Sequence, residues 1–366
     1  MKKRNIKLDV IRITSLIFVI GIHFFAYTGF YTEKSTSKIY YSMFILRSLF
    51  ITCVPMFIIL TGYLMNKKEL SKKYYKGIIR VLFIYLICSI IYSLFLKYYF
   101  KSDMNLFIFI KNLLSYNGTK YSWYIEMYIG LFLLIPFLNI MFNNLKTEKE
   151  VKILLITLAF LTGLPSLINI LSFSSKTCFI SPGKCSDYFQ ILPSWWSMIY
   201  PLFYYFLGSY LKKYEFKISF KLNLILLIVM LIIDSIFNIY RSYNTVFIWG
   251  TWNDYCSLSV MIISALLFNL FLKINIKINN KSINIILKTL SDACLGAYLL
   301  SCIFDKIFYN LLDKKVIFFN SKVKYIITMI FIIFIIFICS ISFSIIINDI
   351  YKLILRIFNN KRRGLK

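Results

Sequence analysis

Three ionisable residues, Asp9, Arg12 and His23, sit within one apolar run close to the start of the chain. An ionisable side chain inside such a run is costly to bury and is a functional candidate by default. At 100° per residue, the step from Arg12 to His23 ends about 20° past whole turns, so the two share one helix face. They stand about 16.5 Å apart along the axis. One face thus carries a fixed cation at one end and a titratable base at the other. His23 is the only histidine in the chain, and a neutral imidazole is the best proton acceptor available near pH 7. A guanidinium is suited to phosphate or carboxylate, which its planar fork reads bidentately. The pattern fits a fixed cation and a proton acceptor serving one site. It fits equally an interfacial Asp9–Arg12 ion pair with His23 hydrogen-bonded to a neighbouring helix.

The elements that must position these residues follow from composition. Of 366 residues, 59% are apolar or aromatic, including 36 Phe and 28 Tyr, and only 16% are charged. So few charges cannot cover so apolar a surface in water, so an integral membrane protein is expected. The net charge of +28 invites a nucleic-acid reading, but the Lys and Arg cluster between apolar runs rather than along a polar face, so no nucleic-acid partner is expected. A span needs about 20 apolar residues. Ten runs qualify, at 8–27, 41–65, 78–99, 122–142, 151–171, 196–211, 222–240, 255–272, 285–309 and 325–347. A further helix lying in the membrane interface is expected at 103–116.

The expected fold is an all-α, polytopic bundle of about ten transmembrane helices, one integral-membrane domain over 1–366. Alternate connections hold 26 and 13 Lys/Arg, with Arg12, Arg47, Arg80 and Lys306 inside spans. The positive-inside rule places the richer side and both termini in the cytoplasm. The first run is longer than a signal-peptide core and lacks a small-x-small cleavage site, so it is expected to be retained. In this topology all five tryptophans, Trp123, Trp195, Trp196, Trp249 and Trp252, face outward. They form either an interfacial belt or a mouth whose rings stack on an acceptor, with Glu126 and Asp254 as hydrogen-bond acceptors. Arg47 and Asp234 suit a charge-compensating pair between helices, or Arg47 polarises a carbonyl or binds an anionic acceptor.

Several runs carry a resemblance. Leu8-Asp9-Val10-Ile11-Arg12 with His23 resembles the opening of the integral-membrane acyltransferase family 3, whose first helix has an R-x10-H pattern. Val54-Pro55-Met56-Phe57 through Thr61-Gly62-Tyr63, Ser122-Trp123-Tyr124-Ile125-Glu126 through Pro136, Tyr205-Phe206-Leu207-Gly208 and Gly296-Ala297-Tyr298-Leu299-Leu300 are similar to further family signatures, in order along the chain. The resemblance implies transfer of an acyl group, usually acetyl from cytoplasmic acetyl-CoA, to a hydroxyl of a cell-surface glycan, lipid-linked sugar or small acceptor. It implies that His23 and Arg12 are catalytic. Arg12, Lys76 and Arg80 would meet the phosphates of the donor, and Arg47, Trp123, Glu126, Trp196 and Trp252 would meet the acceptor. Plasma-membrane placement, with the lipid bilayer as partner, goes with it.

Three positions depart from the pattern. Lys76-Gly77-Ile78-Ile79-Arg80 stands where many relatives have R-x-x-R, Thr61 replaces a serine, and Leu300-Ser301 stands where a second histidine is frequent. The rival readings are a transporter, flippase or glycan polymerase, and an inactive acyltransferase-like binding protein. No metal constellation, phosphate loop or Gly-x-Ser elbow is present in the sequence, so no metal is expected. Cys178 and Cys185 bracket a Pro-Gly turn in the largest outer loop, and a disulfide between them is expected.

Overall fold

The computed structural model describes residues 4–34, 37–171, 175–180, 189–275, 280–312 and 322–364. Its described secondary structure is helical throughout, as a bilayer demands when no water is present to satisfy backbone N–H and C=O groups. The order is α1 (Ile6–Tyr27), α2 (Lys38–Phe50), α3 (Cys53–Met65), α4 (Lys72–Tyr75), α5 (Ile78–Tyr99), α6 (Leu106–Leu114), α7 (Trp123–Asn144) and α8 (Glu148–Thr162). There follow α9 (Pro165–Ile168), α10 (Lys176–Ile180), α11 (Tyr200–Lys213), α12 (Phe220–Ser242), α13 (Leu258–Lys273), α14 (Lys281–Leu311) and α15 (Lys322–Gly364). Among the described residues, nine helical stretches are long and apolar enough to cross a membrane.

The sixth expected span is the exception. It is a 3₁₀ turn, Trp195–Ile199, running into the 14-residue α11, with a proline in its first turn. That is shorter than a bilayer requires. Eleven of its residues between Tyr200 and Leu211 are buried, the signature of a helix packed inside protein rather than against lipid.

The opposite arrangement marks α12. Ile225, Ile228, Ile232, Ile233 and Ile236 are exposed, whereas Asn223, Asp234, Ser235, Asn238 and Arg241 are buried. A helix that hides its polar side chains and shows its isoleucines is built for a hydrocarbon solvent. The helix expected at 103–116 is α6, which buries no residue and shows Leu106, Phe107, Ile110 and Leu114. The run 41–65 forms two helices, because Pro55 has no N–H for the Ile51 carbonyl and its ring displaces that carbonyl. Thr52 closes the break by donating from Oγ1 to the Leu49 carbonyl at 2.6 Å.

The chain divides into two compact units, one of Met1–Lys68, Phe137–Lys277 and Asp313–Ile330, the other of Glu69–Pro136, Ile278–Leu312 and Phe331–Lys366. In the first, α3 and α11 cross in close contact. A Cβ on Gly62 would strike the Tyr205 carbonyl, and one on Gly208 the Ile59 carbonyl. Paired glycines let two backbones meet where any side chain would hold them apart. Asn139 ties the same region together, donating to the Met65 and Lys68 carbonyls at 2.8 and 2.7 Å and accepting from Tyr205 Oη at 2.6 Å. It thereby satisfies carbonyls left over at the end of α3. In the second unit α5 packs on α14, and Ser344 of α15 donates to the Ala293 carbonyl at 2.6 Å.

Candidate functional site

Helix α1 is capped by Asn5, whose side chain accepts from the Lys7 N–H at 3.1 Å. It then runs unbroken to Tyr27, so the spacing of Arg12 and His23 along one face holds in the folded chain. Asp9 is buried, and Arg4 grips it bidentately, Nε and Nη2 donating at 2.7 and 2.6 Å. Arg12 stands 3.9 Å from the same carboxylate, beyond hydrogen-bond distance. The expected Asp9–Arg12 pair is therefore subordinate to an Arg4–Asp9 pair, and a 27% exposed Arg12 side chain remains beside it. Lys7 donates from Nζ to the Leu272 carbonyl at 2.5 Å, at the C-terminal end of α13. The Lys7 contact thus ties this end of α1 to α13. By sequence, Arg4 and Lys7 belong to the basic N-terminal stretch that the positive-inside rule counts as cytoplasmic. The basic start of the run was visible, but not which acid it would meet.

His23 is half-buried, with Nδ1 shielded from solvent. The helix around it is held by aromatic packing. Phe24 and Phe25 are fully buried, Phe24 meets the Tyr325 ring at 5.1 Å, and Thr28 and Tyr325 share a hydrogen bond at 2.9 Å. Phe50 lies where a Cβ on Gly21 would fall. The imidazole is thus carried on a rigid element, as a positioned base requires.

Arg47, on α2, is fully buried. Its Nη2 donates to the Asn253 carbonyl at 2.7 Å, and its guanidinium lies 4.9 and 5.3 Å from the Phe247 and Trp249 ring centroids. Tyr31 packs tilted against the same Trp249, ring centroids 4.5 Å apart. Desolvation raises the Tyr31 phenol above its ordinary pKa, against the opposing pull of Arg47, so it stays neutral. Asp234 is also buried, but it takes Ser48 and Ser259 hydroxyls at 2.5 Å and the Asn238 amide at 3.2 Å. Asn238 in turn accepts from Asn253 at 3.0 Å. The charges of Arg47 and Asp234 are connected through two asparagines rather than paired directly. Nothing in the spacing of Asn238 and Asn253 announced them as the connection.

Trp195 and Trp196 are exposed, as is Trp249, but Trp252 is only 3% exposed and lies beneath the Arg241 guanidinium at 4.3 Å. It is core, not a surface on which an acceptor could stack. In the second unit, Trp123 and Glu126 are both exposed on the first turn of α7. Lys76 is exposed just after α4. Arg80 is exposed too, yet its Nη2 donates to the Asp292 carbonyl and to Asn348 Oδ1, both at 3.0 Å. It braces α5 against α14 and α15. Cys178 is disulfide-bonded, Cys53, Cys88, Cys256, Cys294, Cys302 and Cys339 are free thiols, and Cys185 lies outside the described residues. Among the described residues no group of His, Cys, Asp and Glu could hold a metal ion.

A family model described as an acyltransferase domain matches residues 5–348. The chain belongs to acyltransferase family 3. It is a multi-pass membrane acyltransferase. No curated protein and no solved structure matches it. Within this family member the signature runs divide by task. Gly62 and Gly208 make the α3–α11 crossing, and the Gly296 run packs against Ser344, where a Cβ would strike its hydroxyl. The first helix places the histidine and Arg12 on one face.

Proposed function

We propose that the protein transfers an acetyl group from cytoplasmic acetyl-CoA to a hydroxyl of a cell-surface glycan, lipid-linked sugar or small acceptor, in the plasma membrane with both termini cytoplasmic. The observation that carries this reading is the unbroken α1, which holds Arg12 and His23 on one face about 16.5 Å apart. An extended pantetheine arm has a length of that order. Arg12 binds donor phosphate, with Lys76 as a further cationic contact, and the thioester reaches toward His23. His23 takes the proton from the acceptor hydroxyl as its oxygen attacks the thioester carbonyl. The carbon–sulfur bond then breaks, and the thiolate of CoA leaves and is protonated. A single imidazole suffices, because the base is needed once per transfer. The alternative roles of transporter or binding protein leave the Arg12–His23 face without a task.

The test compares acetyl transfer from radiolabelled acetyl-CoA to membrane glycans and small metabolites by vesicles containing wild-type or His23→Ala protein. Loss of transfer per folded molecule supports the reading. Unchanged turnover in a folded His23→Ala protein overturns it.

A further inference from the structure

Arg47 is fully buried, yet only its Nη2 is satisfied, by the Asn253 carbonyl. Nε and Nη1 are shielded from solvent and have no hydrogen-bond partner. Asp234, the acid of the same network, is not directed at them, because its oxygens take the Ser48 and Ser259 hydroxyls and the Asn238 amide. Unpaired donors on a charged group inside a protein are costly, and each such group calls for an ion or other ligand to complete it.

A second donor serves the same place. Tyr31 Oη is shielded and completes no hydrogen bond, although it lies near enough to Arg47 for the guanidinium to favour its ionised form. Desolvation outweighs that pull, so the phenol keeps its proton and remains a donor. The two residues share one apolar cover. The Phe247 ring centroid lies 4.9 Å from the guanidinium and 5.0 Å from the Tyr31 ring, and that of Trp249 lies 5.3 and 4.5 Å from them. The loop bearing this cover is pinned, since the Ile248 N–H donates to Ser242 Oγ at 3.0 Å and Asn253 Nδ2 donates to the Ile248 carbonyl at 2.9 Å. Both donors are therefore held in advance.

This place stands apart from the Arg12–His23 face. Helix α1 meets α2 through Phe18, Gly21 and Phe25, all set against Phe50. His23 follows Gly21 by two residues, a rotation of about 200°, which puts it on the far side of α1. Charge and surroundings define what fits beside Arg47. The cost of stripping water from an ion rises steeply with its charge, so a buried site under aromatic rings selects against multivalent anions. One guanidinium N–H and one phenolic O–H suit a single small anion, held by charge-assisted hydrogen bonds. We propose that Arg47 and Tyr31 form a binding site for a monovalent inorganic anion of the halide class, which ties α2 to the loop carrying Phe247 and Trp249. The proposal does not rest on acyl transfer.

Full-length protein in lipid nanodiscs is unfolded thermally in sodium chloride, sodium bromide, sodium gluconate and sodium sulfate at matched ionic strength. Chloride and bromide are expected to raise the melting temperature saturably above its value in gluconate or sulfate. Tyr31→Phe keeps the ring and removes the O–H. It should raise the half-saturating chloride concentration about three- to tenfold, the contribution of one hydrogen bond. Arg47→Gln should abolish the response, and where that variant does not fold, Tyr31→Phe carries the test. Three outcomes overturn the proposal: equal melting temperatures in chloride and gluconate, a chloride response unaltered by Tyr31→Phe, which puts the anion elsewhere, or sulfate acting as strongly as chloride, which marks ionic screening only.

Discussion

The two places in the first unit where arginine meets aspartate solve the same electrostatic problem differently. At the start of α1, Arg4 grips Asp9 directly and bidentately, on an element whose next cation, Arg12, keeps a quarter of its side chain exposed. In α2, Arg47 is fully buried and reaches Asp234 only through Asn253 and Asn238, under a cover of Phe247 and Trp249. A direct pair at a helix end neutralises an acid beside a second cation that stays partly exposed. A pair relayed through neutral amides inside the protein commits both charges to holding helices and loop together. The first arrangement suits chemistry and the second suits structure.

This contrast can be broken most forcefully at Arg47. Arg47→Met removes one member of a buried charge network and leaves Asp234 uncompensated, so a loss of about 3–5 kcal/mol in stability is expected. Thermal unfolding in detergent checks it, and a protein of near-normal melting temperature would transfer Arg47 from scaffold to site. For His23→Ala the loss should be in rate. General-base assistance contributes about 10²–10⁴-fold, so acetyl transfer per folded molecule should fall at least about a hundredfold while abundance holds. A parallel fall in abundance and activity would make His23 structural.

Gly208→Ala sharpens the contrast from the scaffold side. The added methyl meets the Ile59 carbonyl, so overpacking should cost about 1–3 kcal/mol with little change in turnover per surviving molecule. The smallest effect concerns Arg4. Without it, Arg12 should close the 3.9 Å gap to Asp9, and the KM for acetyl-CoA should rise about three- to tenfold with kcat nearly unchanged. Asp9→Asn in the Arg4→Ala background should restore the KM. Failure of that rescue would mean that Arg4 contacts the donor itself.

Helix periodicity is a local property, and it carried a large part of this protein. Among the described residues, the nine stretches long and apolar enough to cross a membrane and the shared face of Arg12 and His23 follow from the run of side chains along a single helix, because the rise and turn per residue do not depend on neighbours. The third expected span, 78–99, coincides with α5, Ile78–Tyr99. Where expectation and structure part, the deciding quantity is tertiary. The run 196–211 has the composition of a span, but α11 is short and enclosed, which hydropathy cannot distinguish from exposure to lipid.

Asp9 had two arginines within reach, Arg4 and Arg12, and which one took it depended on how the chain enters the helix. Arg80 carried the family spacing, yet its guanidinium lies against Asp292 and Asn348, residues more than 200 positions away. Trp252 looked like its four counterparts until Arg241 covered it. The amino-acid sequence by itself determined that the chain crosses a membrane in apolar helices and that one of them bears a cation and a base on a single face, since both depend on side-chain type and helical period. Only the tertiary structure decided which charges pair, which aromatic rings remain open and which glycines are helix crossings, since each of these depends on what another helix brings to the same point.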